Sequence, residues 1–252
     1  MKNTINLCLQ GKGGVGKSYI SAILMQYLQD KQGNVVGVDT DTSNRTFSDI
    51  KFQSDVMSLE LMQDNKISVA KFDDLIMFLL GLKEKDVVID VGSNSFLPLV
   101  NYLLESDIIN LILSNQYSII LHIPVVGGEA MPHTLSGLEQ LVGAFKKSCT
   151  YLVYANEHFG KLTDKDGKSF EEMEAYTKNK KYIHGLVYLP KNPELITLAI
   201  EKMKKAKTTF DGVLEDESFN ILEKARIGIV KNDIWSKLDL VLNQPTQSTK
   251  EK

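Results

Sequence analysis

Short apolar runs alternate along the chain with longer stretches in which apolar positions recur every three or four residues. The short runs are Ile5 to Leu9, Val35 to Val38, Val87 to Val91, Ile119 to Val126, Tyr151 to Ala155 and Ile183 to Leu189. Rich in β-branched residues, they predict strands buried on both faces. The longer stretches, around residues 17–31, 71–80, 96–113, 132–147, 169–179 and 193–207, predict amphipathic helices. Residues 108–113 are β-branched enough for a strand, but 119–126 make the better one, so 108–113 are assigned to the helix running from Phe96. Strand alternating with helix predicts an α/β fold, a three-layer α/β/α sandwich around a mostly parallel central sheet. Residues 1–243 read as one domain and residues 244–252, polar and carrying Pro245, as a flexible tail.

The turn between the first strand and the first helix carries the strongest chemical signal. Residues 10–19 read Gln-Gly-Lys-Gly-Gly-Val-Gly-Lys-Ser-Tyr, which sets Gly11, Gly16, Lys17 and Ser18 in the spacing of a phosphate-binding loop. Glycine lets the backbone of Gly11, Gly13, Gly14, Val15 and Gly16 curl so that successive N–H groups surround phosphate oxygens. The helix that follows, with Ser18 and Tyr19 in its first turn, points its positive dipole end at the same anion. Lys17 is expected to reach the β and γ phosphates, and the Ser18 hydroxyl to ligate the accompanying magnesium ion. A second lysine, Lys12, follows the first glycine.

Acids stand where the next apolar runs end. Asp39 and Asp41 close the run from Val35, two residues apart and therefore on one face of the strand, at the edge where ligands bind in open α/β sheets. Asp90 closes Asp86-Val-Val-Ile-Asp90 in the same way, as expected of an acid that holds magnesium through its water shell. The small, polar Gly92-Ser93-Asn94-Ser95 follows, suited to move with the γ phosphate.

These motifs together resemble the deviant Walker A P-loop ATPases of the ParA and MinD type. Residues 9–18, 39–41, 86–90, 167–171 and 175–180 resemble more narrowly the TraL family of conjugative plasmid transfer proteins, from about Ile5 to Leu240. The resemblance implies a dimer formed on ATP and Mg2+, in which Lys12 touches phosphates held by the other subunit. It implies Lys12, Lys17 and Asp41 as catalytic residues, Asp41 positioning the attacking water. Asp39 and Asp90, with Ser18, match the acids and hydroxyl near the metal. Asn156 and the segment Pro190 to Asn192 match the base-binding loops; a side-chain cap is the alternative for Asn156. Thr42 and Asn44 after Asp41, and Val-Gly-Ser-Asn after Asp90, depart from the family pattern and bear on hydrolysis rate more than on binding.

Composition narrows the partners. The 252 residues carry 29 basic and 32 acidic side chains, a net charge of −3, so no global attraction to nucleic acid or anionic membrane exists. Lys202, Lys204, Lys205 and Lys207 read better as a solvated helix face than as a DNA-contacting patch. No apolar run approaches a membrane span, residues 1–4 run straight into a strand without a signal-peptide pattern, and Ile234 to Leu240 is too weakly basic for membrane attachment. A cytoplasmic chain is expected. Cys8 and Cys149 read as core residues, and His122, His133, His158 and His184 lack metal-ligand spacing.

The expected function is an ATPase that switches between dimer and monomer and acts on a component of the plasmid transfer machinery. The alternatives are a nucleotide-regulated adaptor with negligible turnover and a small-molecule kinase on the same scaffold.

Overall fold

A computed structural model of the protein describes residues 3–41, 44–63, 66–82, 84–105 and 107–243, with only the backbone of 62, 63, 66 and 67. Thr42 and the tail 244–252 lie outside the described residues.

The chain runs β1 (Thr4–Cys8), α1 (Lys17–Gln32), β2 (Val35–Asp39), β3 (Val56–Ser58), a short antiparallel pair β4 (Met62–Gln63) and β5 (Lys66–Ile67), and α2 (Val69–Gly81). It continues with β6 (Asp86–Asp90), α3 (Phe96–Glu105), α4 (Ile108–Ser114), β7 (Ser118–Val126), α5 (Met131–Phe145) and β8 (Thr150–Asn156). It closes with α6 (Glu174–Thr177), β9 (Ile183–Leu189), α7 (Glu194–Lys205), α8 (Phe210–Glu215) and α9 (Ile221–Leu242).

Seven strands form one parallel sheet in the order β3-β2-β6-β1-β7-β8-β9. Strand alternation sends Ile5, Leu7 and Leu9 into a core shared with α2, α3, α4 and α5, while Cys8 joins α1, α7, α8 and α9 on the other face. The predicted three layers are therefore present. At the centre of the sheet one polar chain is fully paired: His122 Nε2 lies 3.0 Å from Asn6 Oδ1 and Nδ1 2.9 Å from the Tyr154 hydroxyl. Burial pushes His122 down to about 3, so it stays neutral and structural.

The apolar runs sit on the predicted strands within a residue or two of their ends. Two differences and one agreement are informative. Residues 96–113 are helical but broken into α3 and α4, because Asp107 adopts a left-handed conformation at φ 52° that no helix continues through. Residues 169–179 fold as two short helical turns, 170–172 and 174–177, the first held by Ser169 and Glu172 in a capping box. The segment Ile234 to Leu240 belongs to the 22-residue α9, whose Ile234 and Leu238 are buried, in keeping with a core role.

Candidate functional site

The phosphate loop leaves β1, the central strand, between the carboxyl ends of β6 and β7. Gly14 and Gly16 take φ of 75° and 100°, values that favour glycine, and Gly16 also leaves room for the Asn156 amide, whose Nδ2 would lie 3.1 Å from a Cβ there. Lys17 turns back over the loop so that Nζ lies 3.4 Å from the Lys12 carbonyl oxygen. Burial lowers its pKa, opposed by the charges of Asp90 and Asp41. Lys17, Ser18, Gly13, Gly14, Asp41 and Ser93 line one cavity of about 690 Å³, which runs on toward Arg45, Met203 and Phe210.

The two strand-end acids behind this cavity are almost fully buried. Burial raises the carboxyl of Asp90 to about 6 against the hydrogen bonds from Ser18 and Ser21, with Ser21 Oγ donating to Oδ1 at 3.0 Å. Asp39 is likewise raised by burial, and its oxygens accept the main-chain N–H groups of Asp41 at 3.0 Å and Ser48 at 2.9 Å. Asp39 thus anchors the segment that presents Asp41. The Asp41 carboxylate packs on Gly92, where a Cβ would meet its Cγ at 3.2 Å, and accepts the Asn44 N–H at 3.2 Å. Ser93 in turn approaches Gly13. Among the described residues no three His, Cys, Asp or Glu side chains converge as a metal site. A divalent cation here would depend on Ser18, phosphate oxygens and water, with the acids one shell away.

Asn156, Pro190 and Asn192 share a second cavity of about 300 Å³, next to Gly14, Gly16 and Tyr19. The Asn156 carboxamide is engaged at both ends: Nδ2 donates to the Val15 carbonyl at 3.3 Å, and Oδ1 caps the His158 N–H at 3.1 Å. The capping alternative is therefore present together with a direct bond to the phosphate loop. Lys12 does not join Lys17 and Asp41. It is exposed and lines a separate cavity of about 190 Å³ with Phe96, His133 and Gln140.

The CobQ/CobB/MinD/ParA nucleotide binding domain matches residues 7–234 of this chain. Two Escherichia coli proteins called Protein TraL are 37% and 34% identical to it over 236 residues, 93% of this chain and 97% of each relative. The chain belongs to the TraL family of MinD/ParA nucleotide-binding proteins. The MinC:MinD cell division protein complex of Aquifex aeolicus shares the fold at a TM-score of 0.52, 14% identity and 98% coverage of both chains. MinD of the same organism gives 0.50 at 14% identity, covering 96% of this chain and 98% of its own.

In this TraL-family chain the basic run of α7 is largely consumed internally. Lys202 donates to the Ser218 carbonyl at 2.6 Å and pairs with Glu223 at 2.7 Å, Lys204 lies 4.4 Å from the centre of the Tyr19 ring, and Lys207 pairs with Asp49 at 2.6 Å. Tyr19 and Lys204 line both large cavities. Ser21 and Gln10 lie outside the motif spacings. Ser21 sits one turn after Ser18, a spacing that puts both hydroxyls toward Asp90. No local pattern marks Gln10. Among the described residues, no single helix is long and apolar enough to cross a membrane.

Proposed function

We propose that the chain is a cytoplasmic ATP-binding protein of the deviant Walker A type that dimerises on Mg-ATP and relaxes on hydrolysis. It uses that change to regulate or position a component of plasmid conjugative transfer, a reading supported by its 37% and 34% identity to the two TraL proteins. The observation that carries this reading is the opposite disposition of the two loop lysines: Lys17 is buried in the cavity with Asp41 and Ser18, whereas Lys12 is exposed outside it. An exposed lysine beside a phosphate loop acquires a partner when a second copy presents its own triphosphate, and two ammonium groups then offset the charge where water is excluded.

In this reading the loop N–H groups and Lys17 hold the phosphates, and Asn156, Pro190 and Asn192 receive the base. Magnesium supplies charge neutralisation at the phosphates; Ser18 would ligate it, with Asp39 and Asp90 behind. Asp41 orients the attacking water. Sedimentation velocity tests it. Wild type is expected to shift from monomer to dimer with Mg-ATP, and Lys12→Ala to stay monomeric while still binding nucleotide. Equal dimerisation of the two proteins overturns the cross-subunit role.

One observation favours a second reading, an adaptor with negligible turnover. The Asp41 carboxylate already accepts the Asn44 N–H at 3.2 Å, so one of its oxygens is engaged by the main chain rather than free to hold a water. Phosphate release decides between them: an ATPase loses about a hundredfold or more in Asp41→Asn, whereas an adaptor releases no more phosphate than that variant.

A further inference from the structure

One polar side chain with 1% of its surface exposed stands immediately before the phosphate loop. Gln10 Nε2 donates to the Pro124 carbonyl of β7 at 3.0 Å and to the Thr134 carbonyl of α5 at 3.1 Å. Its Oε1 accepts the Gly11 N–H at 3.0 Å. Both amide hydrogens and the carbonyl are therefore used, a full satisfaction that fixes the side chain in one orientation. The neighbouring helix makes room for it. Gly137 lies in the middle of α5, and a Cβ there would overlap Oε1 and stand 2.9 Å from Cδ and 3.1 Å from Nε2. Glycine is a poor residue for a helix interior, and here it admits the amide.

The two ends of the loop are thus held by two different carboxamides. Asn156 grips Val15 and crowds Gly16 at the end beside the cavity of Pro190 and Asn192. Gln10 grips Gly11 at the opposite end, where a Cβ on Gly11 would stand 3.0 Å from the Phe96 ring and Ser93 approaches Gly13. The peptide that follows Gly11 carries the Lys12 carbonyl, on which Lys17 Nζ rests. A nucleotide whose base lies beside Asn156 has its terminal phosphate toward the Gln10 end, and that phosphate is what a triphosphate possesses and a diphosphate lacks.

Resting on the nucleotide-binding reading of the loop, we propose that Gln10 is a positioning residue that sets the preference for nucleoside triphosphate over diphosphate. It does so by fixing the main chain of Gly11 and Lys12, and through the Lys12 carbonyl the Lys17 ammonium; Gly137 is the second half of the device. Neither residue has a side chain in the 690 Å³ cavity.

Calorimetric titration of the full chain with a non-hydrolysable ATP analogue and with ADP, each with magnesium, tests this. Wild type binds both. Gln10→Ala is expected to lose about tenfold or more in affinity for the triphosphate and less than about threefold for the diphosphate. Gly137→Ala displaces the amide and reproduces the loss, although alanine favours the helix. The double variant is no worse than Gln10→Ala alone, since the alanine methyl then meets no amide. An equal loss for both nucleotides assigns Gln10 a purely structural role and overturns the proposal, as do unchanged affinities. Should Gln10→Ala not fold by circular dichroism, the triphosphate-to-diphosphate ratio of Gly137→Ala decides alone. A wild-type chain that binds neither nucleotide overturns the reading of the loop itself, and this proposal with it.

Discussion

Asp90 shows how a candidate site residue taxes the fold that carries it. With its carboxyl raised to about 6 by burial, the folded chain binds a proton more tightly than the unfolded chain between about pH 4 and pH 6. Stability therefore falls as pH rises through that window, and above it the buried carboxylate costs on the order of 3 kcal/mol. Asp90→Asn keeps the shape and removes the charge. The nucleotide-free variant is expected to melt about 5 °C or more above wild type at pH 7.5, a gain that fades toward pH 4 in scanning calorimetry. A constant difference across that range excludes burial of charge as the cause. Residues of this kind were legible in the sequence because their signal is local: an acid at the end of an apolar run, or a consecutive loop such as 11–18. Gln10 was not, because its partners at 124 and 134 lie more than a hundred residues away and only the folded chain brings them together.

Elements were legible where their periodicity was long and uninterrupted. The strands named from sequence are all nearly wholly apolar, whereas β3 has three residues, lies at the sheet edge and is only partly buried, too short for any pattern to declare itself. The break between α3 and α4 is invisible to apolar spacing because a left-handed residue changes direction without changing hydrophobicity. In α9 the buried positions Ile227, Val230, Ile234, Leu238 and Val241 keep helical spacing, but exposed Ile229 and Leu240 blur the stripe. Its start is better marked: Asn220 accepts from the Leu222 and Glu223 N–H groups at 3.0 Å each, and Glu223 reaches back to the Asn220 N–H at 2.8 Å. Asn220→Ala is expected to destabilise the protein by about 1 kcal/mol, read as a lower urea midpoint at unchanged slope. Because α9 packs on β9 and α7, a two-state loss is expected rather than fraying of one turn.

Two layers of the molecule meet closely where β9 passes under α9. A Cβ on Gly185 would sit 2.7 Å from Val241 and 2.9 Å from Leu152, so helix and strand touch through a missing side chain. Gly185→Ala is expected to cost about 1–3 kcal/mol by overpacking, while Val241→Ala in the same background recovers part of it; thermal melts of the four proteins measure the coupling. Strand order has a further consequence. The first strand made lies in the middle of the finished sheet, its two neighbours come from residues 86–90 and 118–126, and the 300 Å³ cavity beside the loop takes its other walls from residues 156–159, 189–204 and 229–234. As a ribosome delivers the chain from its amino end, the loop at 11–18 emerges early and waits. The cavities beside the loop are therefore completed only once most of the chain has been synthesised.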